Sequence, residues 1–274
     1  MTQTPERING GLSAGGDGGP APGHSLAALK GAGRQVLDVL LPPHCLKCRM
    51  PVDEPGSLCA TCWNAITSLG SPACGVCGLP FEFNAGDYAL CSGCIRRRAV
   101  YERARSVFAY DDASRDLILG FKHADRTEAA PAFARWLARA AGGMAAEADI
   151  VAPVPLHWTR FWRRRYNQSA ILASALARRL DKPVIPDLLM RVRRTPPQGG
   201  LGGAGRYRKV RGVLKLTPRF ADRVRGWRVL LIDDVYTAGA TAEACARVLL
   251  RGGAGAVDLL TLARVVRPGN QSEP

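Results

Sequence analysis

The sequence predicts an α/β protein with a mostly parallel sheet, preceded by a small cysteine-rich module. Three observations carry this reading. Short apolar runs alternate with helical periodicity from about residue 99 to 268, and strands separated by helices run parallel because the connection has to cross over. Eight of the nine cysteines fall into four C-x-x-C pairs within 50 residues. One apolar run ends in two aspartates, a small-residue turn and a new helix.

The segments follow in order. Residues 1–24 are rich in Gly and polar side chains and are expected to be a disordered tail. Residues 25–43 read as an N-terminal helix, 44–98 as the cysteine module, 99–268 as the α/β domain and 269–274 as a tail. Within the α/β domain, Arg105–Tyr110 reads as a strand, and Ser114–Phe121 as a helix ending near Lys122. Thr127–Ala140 is a second helix and Asp149–Pro155 a strand. Asn167–Leu180 is a helix, with Ile171, Leu172, Leu176 and Leu180 at helical spacing. Val229–Ile232 is a buried parallel strand that Asp233 and Asp234 end. A helix from about Ala242 to Leu250 stops at Gly252-Gly253, and Ala256–Leu262 is the next strand.

Composition excludes some classes. Of the 274 residues, 47% are hydrophobic, normal for a globular protein, and no apolar run reaches the length of a membrane span. The N-terminus has no basic start followed by an apolar run, so a cytoplasmic protein without a membrane span is expected.

The pairs are Cys45/Cys48, Cys59/Cys62, Cys74/Cys77 and Cys91/Cys94, each in a turn. Two such knuckles supply the four thiolates that zinc takes in a tetrahedron. Two structural Zn²⁺ sites follow, closed to water and worth on the order of 10 kcal/mol of folding energy each. Disulfides would need an oxidising compartment, a redox C-x-x-C would come singly, and an iron–sulfur cluster is the minor option. Spacing leaves open whether neighbouring pairs share an ion or interleave. Cys245 sits at an apolar helix position and reads as core.

The segment VLLIDDVYTAGAT holds the second signal. Backbone N–H groups of the turn Thr237-Ala238-Gly239-Ala240-Thr241 and the positive end of the following helix can cradle a phosphate. Thr237 and Thr241 add hydroxyl donors, and Gly239 allows a positive φ. Asp233 and Asp234 are placed to accept from ribose hydroxyls or to hold Mg²⁺. The ligand predicted is a phosphorylated ribose at the carboxyl ends of the strands. Gly200-x-Gly202-x-x-Gly205 resembles a dinucleotide loop but follows Pro196-Pro197-Gln198 rather than a strand, and no P-loop occurs.

The net charge of +15 is local. Residues 160–228 hold 19 Lys/Arg against 3 Asp/Glu, while the remainder holds 19 against 20. Such a field attracts phosphate-bearing partners. Trp158, Phe161, Trp162, Tyr166 and Tyr207 are interleaved with Arg163, Arg164, Arg165, Arg206, Arg208 and Lys209. Bases stack on aromatic rings while basic groups follow the backbone, the pattern of single-stranded nucleic-acid binding.

The acidic pair and its Thr/Gly turn resemble the phosphoribosyl pyrophosphate (PRPP) motif of type I phosphoribosyltransferases, with Ala238 where a second Thr is usual. From about residue 37 the chain resembles the ComF/GntX family, which joins a double zinc ribbon to a phosphoribosyltransferase-like domain. The matching pieces occur in order: L-P-P-x-C-x-x-C, C-G-x-P at 77–80, F-K-H at 121–123, R-R-x-Y-N-Q at 163–168, and Thr195, Gln198, Leu201 and Arg206. Arg165, Lys209 and Leu214 depart from the family, which usually has Gly, Asn and Phe there. The resemblance implies that Lys122 approaches the pyrophosphate and that Asp233 and Asp234 are the catalytic carboxylates if the domain turns over. It implies a PRPP-binding fold that handles single-stranded DNA in natural competence, beside cytosolic DNA-uptake proteins. The alternative is an active phosphoribosyltransferase that moves ribose 5-phosphate from PRPP to a nitrogen base.

Overall fold

In the computed structural model the described residues are 42–86, 88–123, 127–156, 167–192 and 212–266, and Pro43–Pro274 group as one unit. Two short helices lie in the cysteine module, α1 (Ala60–Ala65) and α2 (Ser92–Arg96). Strand β1 (Arg103–Ala109) leads into α3 (Asp112–His123). A 3₁₀ turn at Thr127–Ala129 precedes α4 (Ala130–Ala141), and a short α5 (Gly143–Glu147) leads to β2 (Ile150–Pro153). Helix α6 (Gln168–Leu180) follows, then a two-stranded ribbon of β3 (Leu189–Arg191) and β4 (Leu214–Leu216). The last βαβ unit is β5 (Arg228–Tyr236), α7 (Ala240–Arg251) and β6 (Ala256–Arg264).

The main sheet has the order β1-β6-β5-β2 and every pair in it is parallel. Its central strands are buried over Val229–Ile232 and Val257–Arg264, apolar there except at Asp258, Thr261 and Arg264, as a sheet covered on both faces requires. Alternate residues feed two apolar clusters. Leu230, Ile232, Leu260 and Leu262 pack with residues of α3, α4 and α6 and with Leu46 and Ile66 of the first half of the cysteine module. Val229, Leu231, Val257 and Leu259 pack with α7, the β3–β4 ribbon and the second half of the module, Cys74 to Cys94. The period of two along a strand thus sends the two halves of the module to opposite faces.

The predicted elements appear with shifted ends. Asn167 caps α6, its side chain accepting from the Ser169 N–H. Asp111 caps α3 reciprocally: Ser114 N donates to its carboxylate at 2.8 Å, and Asp111 N donates to the Ser114 hydroxyl at 3.1 Å. Two expectations are corrected. Strand β5 does not end at the aspartates but runs through them to Tyr236, because β6 continues to Arg264 and offers backbone partners that far. Helix α7 begins at Ala240 rather than Ala242, since Gly239 in the left-handed region turns the chain directly into it.

The edge strand β1 is covered. Ser68 bridges Phe108, Leu69 N donates to Val107 O, Ala109 N donates to Thr67 O, and Ala104 N donates to Val76 O. The module's own chain therefore occupies the free side of the sheet.

Candidate functional site

The cysteines gather into two clusters, Cys45/Cys48/Cys59/Cys62 and Cys74/Cys77/Cys91/Cys94, with all sulfurs of a cluster within 4.8 Å of one another. The pairing is sequential, resolving what spacing left open. The two halves repeat one plan. Cys45 N donates to Met50 O as Cys74 N does to Leu79 O, and Cys59 N points at the Cys45 sulfur as Cys91 N does at that of Cys74. The position after each first pair, Arg49 or Gly78, has a positive φ. At Gly78 only glycine fits, since a Cβ would stand 2.5 Å from Ala104 O.

These residues fit zinc. Sulfurs about 3.8 Å apart are what a tetrahedron with Zn–S near 2.3 Å demands, and the Cys48–Cys59 and Cys77–Cys91 sulfurs are 3.6 Å apart. Burial alone would raise the Cys45 thiol, but backbone N–H groups of Cys48, Cys59 and Lys47 bring it down to about 6, toward the thiolate a metal binds. Beside the second cluster, Arg264 Nη1 donates to Cys77 O at 2.5 Å, and Arg105 Nη1 donates to Gly75 O at 3.2 Å. Two guanidinium groups there suit the double negative charge of a zinc tetrathiolate. All four cysteines of this cluster are buried, whereas Cys48 of the first is exposed.

The acidic pair lies near the carboxyl end of β5, at the end of the sheet where α/β ligands bind. Asp233 Oδ1 accepts from the Ser169 hydroxyl at 3.1 Å and from Asp234 N at 2.9 Å, so α6 orients this carboxylate. After Tyr236 the chain turns through Thr237 and Ala238 into Gly239, which has φ +71° and forms the N-cap of α7 without any side-chain cap bond. Ala240 and Thr241 are its first two helical residues. The chain thus enters the helix through backbone alone, with the last two residues of the expected turn inside the helix. Cys245 is fully buried inside the same helix, its thiol pushed up by burial and by Asp233.

Several residues that hold this loop are not evident from the sequence. Tyr101, 2% exposed, shares a 2.8 Å hydroxyl–hydroxyl bond with Tyr236. Arg264 lies over the Tyr236 ring at 5.0 Å while donating to Cys77 O, so one side chain touches both the loop's entry and the second cluster. Buried Glu243, in the first turn of α7, pairs with Arg247 and with Arg97 at 2.6 Å, joining the end of the cysteine module to the same helix. The arginine that closes the run AVDLLTLAR, apolar apart from Asp258 and Thr261, was the one available signal.

Lys122 is in the last turn of α3. Arg163, Arg164, Arg165, Tyr166, Arg206, Arg208 and Lys209 lie outside the described residues. Among the described residues no helix is long and apolar enough to cross a membrane.

A parallel α/β sheet carrying an acidic pair and a glycine-capped turn, with two Cys₄ clusters, defines the class. Residues 36–95 match the double zinc ribbon domain. The chain is 33% identical to the DNA utilization protein YhgH of Salmonella typhi over 234 residues, 82% of this chain and 99% of that protein. It is 29% identical to competence protein F of Haemophilus influenzae, over 80% of this chain and 96% of that one. It is 27% identical to competence protein ComFC of Bacillus subtilis, over 76% and 84%. The chain belongs to the ComF/YhgH family.

Proposed function

We propose that this chain uses a PRPP-binding fold to handle single-stranded DNA on the cytoplasmic side of DNA uptake. The observation that carries the phosphate half is the turn itself: an aspartate pair near the end of a strand, with Asp233 oriented by Ser169, then a left-handed glycine and a helix start with no side-chain cap. The backbone N–H groups of Thr237 to Thr241 would receive the 5-phosphate of PRPP or of a strand end. Asp233, held by Ser169, and Asp234 would face the ribose hydroxyls, and Lys122 the pyrophosphate. Mg²⁺ bound with PRPP would neutralise the diphosphate. The DNA half rests on the concentrated basic charge of residues 160–228, on Arg163, Arg164, Arg165, Tyr166, Arg206, Arg208 and Lys209, and on the family's competence proteins.

The test is binding of a labelled single-stranded oligonucleotide across a salt series, with and without Mg²⁺-PRPP. Log affinity is expected to fall with log salt by about 0.7 for each phosphate contact. Replacing Arg163, Arg164 and Arg165 by Ala should shallow that slope by about 2 on the same count. Negligible binding at low salt would overturn the DNA reading. Competition by PRPP would place the strand across the Asp233–Thr241 turn. The second reading, transfer of ribose 5-phosphate to a nitrogen base, is favoured by the Ser169–Asp233 bond, which pre-orients one catalytic carboxylate. It predicts pyrophosphate release from PRPP with some member of a base panel, lost in Asp233→Asn.

A further inference from the structure

A cavity of about 670 Å³ opens at the β1 edge, within the size range of small-molecule sites. Its walls come from β1, α4 and both halves of the cysteine module, the second through Gly78, Asn84 and Gly86. Trp63 of α1 comes from the first ribbon, Phe108 and Arg105 from β1, and Trp136 and Arg139 from α4, while the segment from Ser68 to Ala73 forms the rim. Among the described residues, neither the acidic pair nor any member of the stretch 160–228 lines it.

Its chemistry is selective. The described lining residues include two arginines and no carboxylate, so the cavity favours an anion. Arg105 has Nη1 engaged by backbone carbonyls, whereas Arg139 is exposed at the cavity. Beside these charges stands an aromatic group. Trp63 meets Phe108 edge-on at 6.3 Å and 83°, and Trp136 at 5.8 Å and 51°; Phe108 and Trp136 are 5.4 Å apart. These contacts hold the indole of Trp63 in place but leave the residue 42% exposed. A rigid, partly open indole next to a cation is a platform for a flat ring that carries negative charge. The first cluster fixes the backbone of that platform: Trp63 follows ligand Cys62 directly, and its backbone N–H donates to the carbonyl of ligand Cys59 at 2.9 Å.

We infer that this cavity binds a nucleotide, its base stacked on Trp63 and its phosphate held by Arg139. The ligand chemistry, a base joined to a phosphate, is shared by a free mononucleotide and by one residue of a single strand. On this reading the first ribbon supplies a binding surface as well as a scaffold.

The test is calorimetric titration of the zinc-loaded chain with deoxyadenosine 5′-monophosphate and, separately, with a four-nucleotide single strand. Arg139→Glu and Trp63→Ala are each expected to weaken binding of at least one ligand by about tenfold or more. Trp63→Phe, which keeps a stacking ring, should retain most of the affinity. Arg251→Glu, an equal charge change on an exposed residue at the end of α7, a helix packed on the other face of the sheet, should have a much smaller effect. Zinc content is measured on every variant, and Arg139→Glu, a surface change outside the ribbon, keeps the test valid if Trp63→Ala loses metal. Loss with the mononucleotide marks a free nucleotide as ligand, and loss with the strand alone marks a strand. Affinities for both that are unchanged by Arg139→Glu, or lowered equally by Arg251→Glu, would overturn the inference. So would inorganic phosphate competing as well as the nucleotide, because the base would then contribute nothing.

Discussion

Replacing Gly239 by Ala tests how the turn between β5 and α7 is held. The residue has φ +71°, and an added Cβ would stand 2.6 Å from the Tyr236 hydroxyl and 3.0 Å from its ring carbon. A left-handed non-glycine residue costs about 1–2 kcal/mol. The contact also has to be relieved by moving Tyr236, whose hydroxyl is bonded to Tyr101 and whose ring lies under Arg264. Each of those interactions is worth about 1 kcal/mol. The stiffer unfolded chain returns about 0.4–1 kcal/mol. The net loss is about 2–3 kcal/mol, a fall in melting temperature of roughly 4–10 °C for a unit of this size. Gly226 is the control: its φ is +76° and an added Cβ meets nothing within 4 Å. Gly226→Ala should cost only the strain less the same unfolded-state gain, about 1 kcal/mol. Urea unfolding of both variants, and of Gly239→Ala combined with Tyr236→Phe, completes the measurement. With the hydroxyl gone, the Gly239→Ala cost should shrink by about 1 kcal/mol. Equal costs at 239 and 226, with no dependence on Tyr236, would refute the reasoning.

Metal analysis should return two zinc ions per chain, falling to one in Cys48→Ser with the sheet still folded. A chelator should strip the cluster containing exposed Cys48 before the buried one, read as two phases of zinc release. The Asp111 cap gives a pH signature. Burial would raise this carboxyl, but the Ser114 N–H and hydroxyl and the Thr67 hydroxyl together hold it below the usual range. A depressed carboxyl adds stability above its unfolded value, and that stability is lost as pH falls through the folded value. Asp111→Asn should therefore flatten the acid limb of the stability curve, and Asp111→Ala should cost about 1 kcal/mol at neutral pH.

Legibility in the sequence followed the range of the interactions. The cysteine spacing announces the metal sites because a knuckle is local, but which pairs share an ion is a property of the folded chain. The run Val229–Ile232 and the Thr/Gly turn announce strand, loop and helix because each is set by neighbours. The true end of β5 is not local, since it depends on how far β6 runs alongside. The same holds for Tyr101, Arg97 and Arg264, whose partners lie 135, 146 and 187 residues away. Asn167 shows the opposite case, a residue that reads equally as cap or contact until the Ser169 bond assigns it. The basic and aromatic residues between 157–166 and 193–211 lie outside the described part, so their grouping rests on composition.

The covered β1 edge has a consequence for how this chain can be cut or copied. An open strand edge is a row of unpaired amides and carbonyls that a second molecule can extend. Here residues 67–69 and Val76 occupy that row, so the metal module also acts as a stopper against sheet-to-sheet growth. Expressing residues 99–274 alone would remove it and leave Val107 and Ala109 open to a neighbour. Such a fragment should associate in a concentration-dependent way on size-exclusion chromatography, and Ala109→Lys should reduce that association.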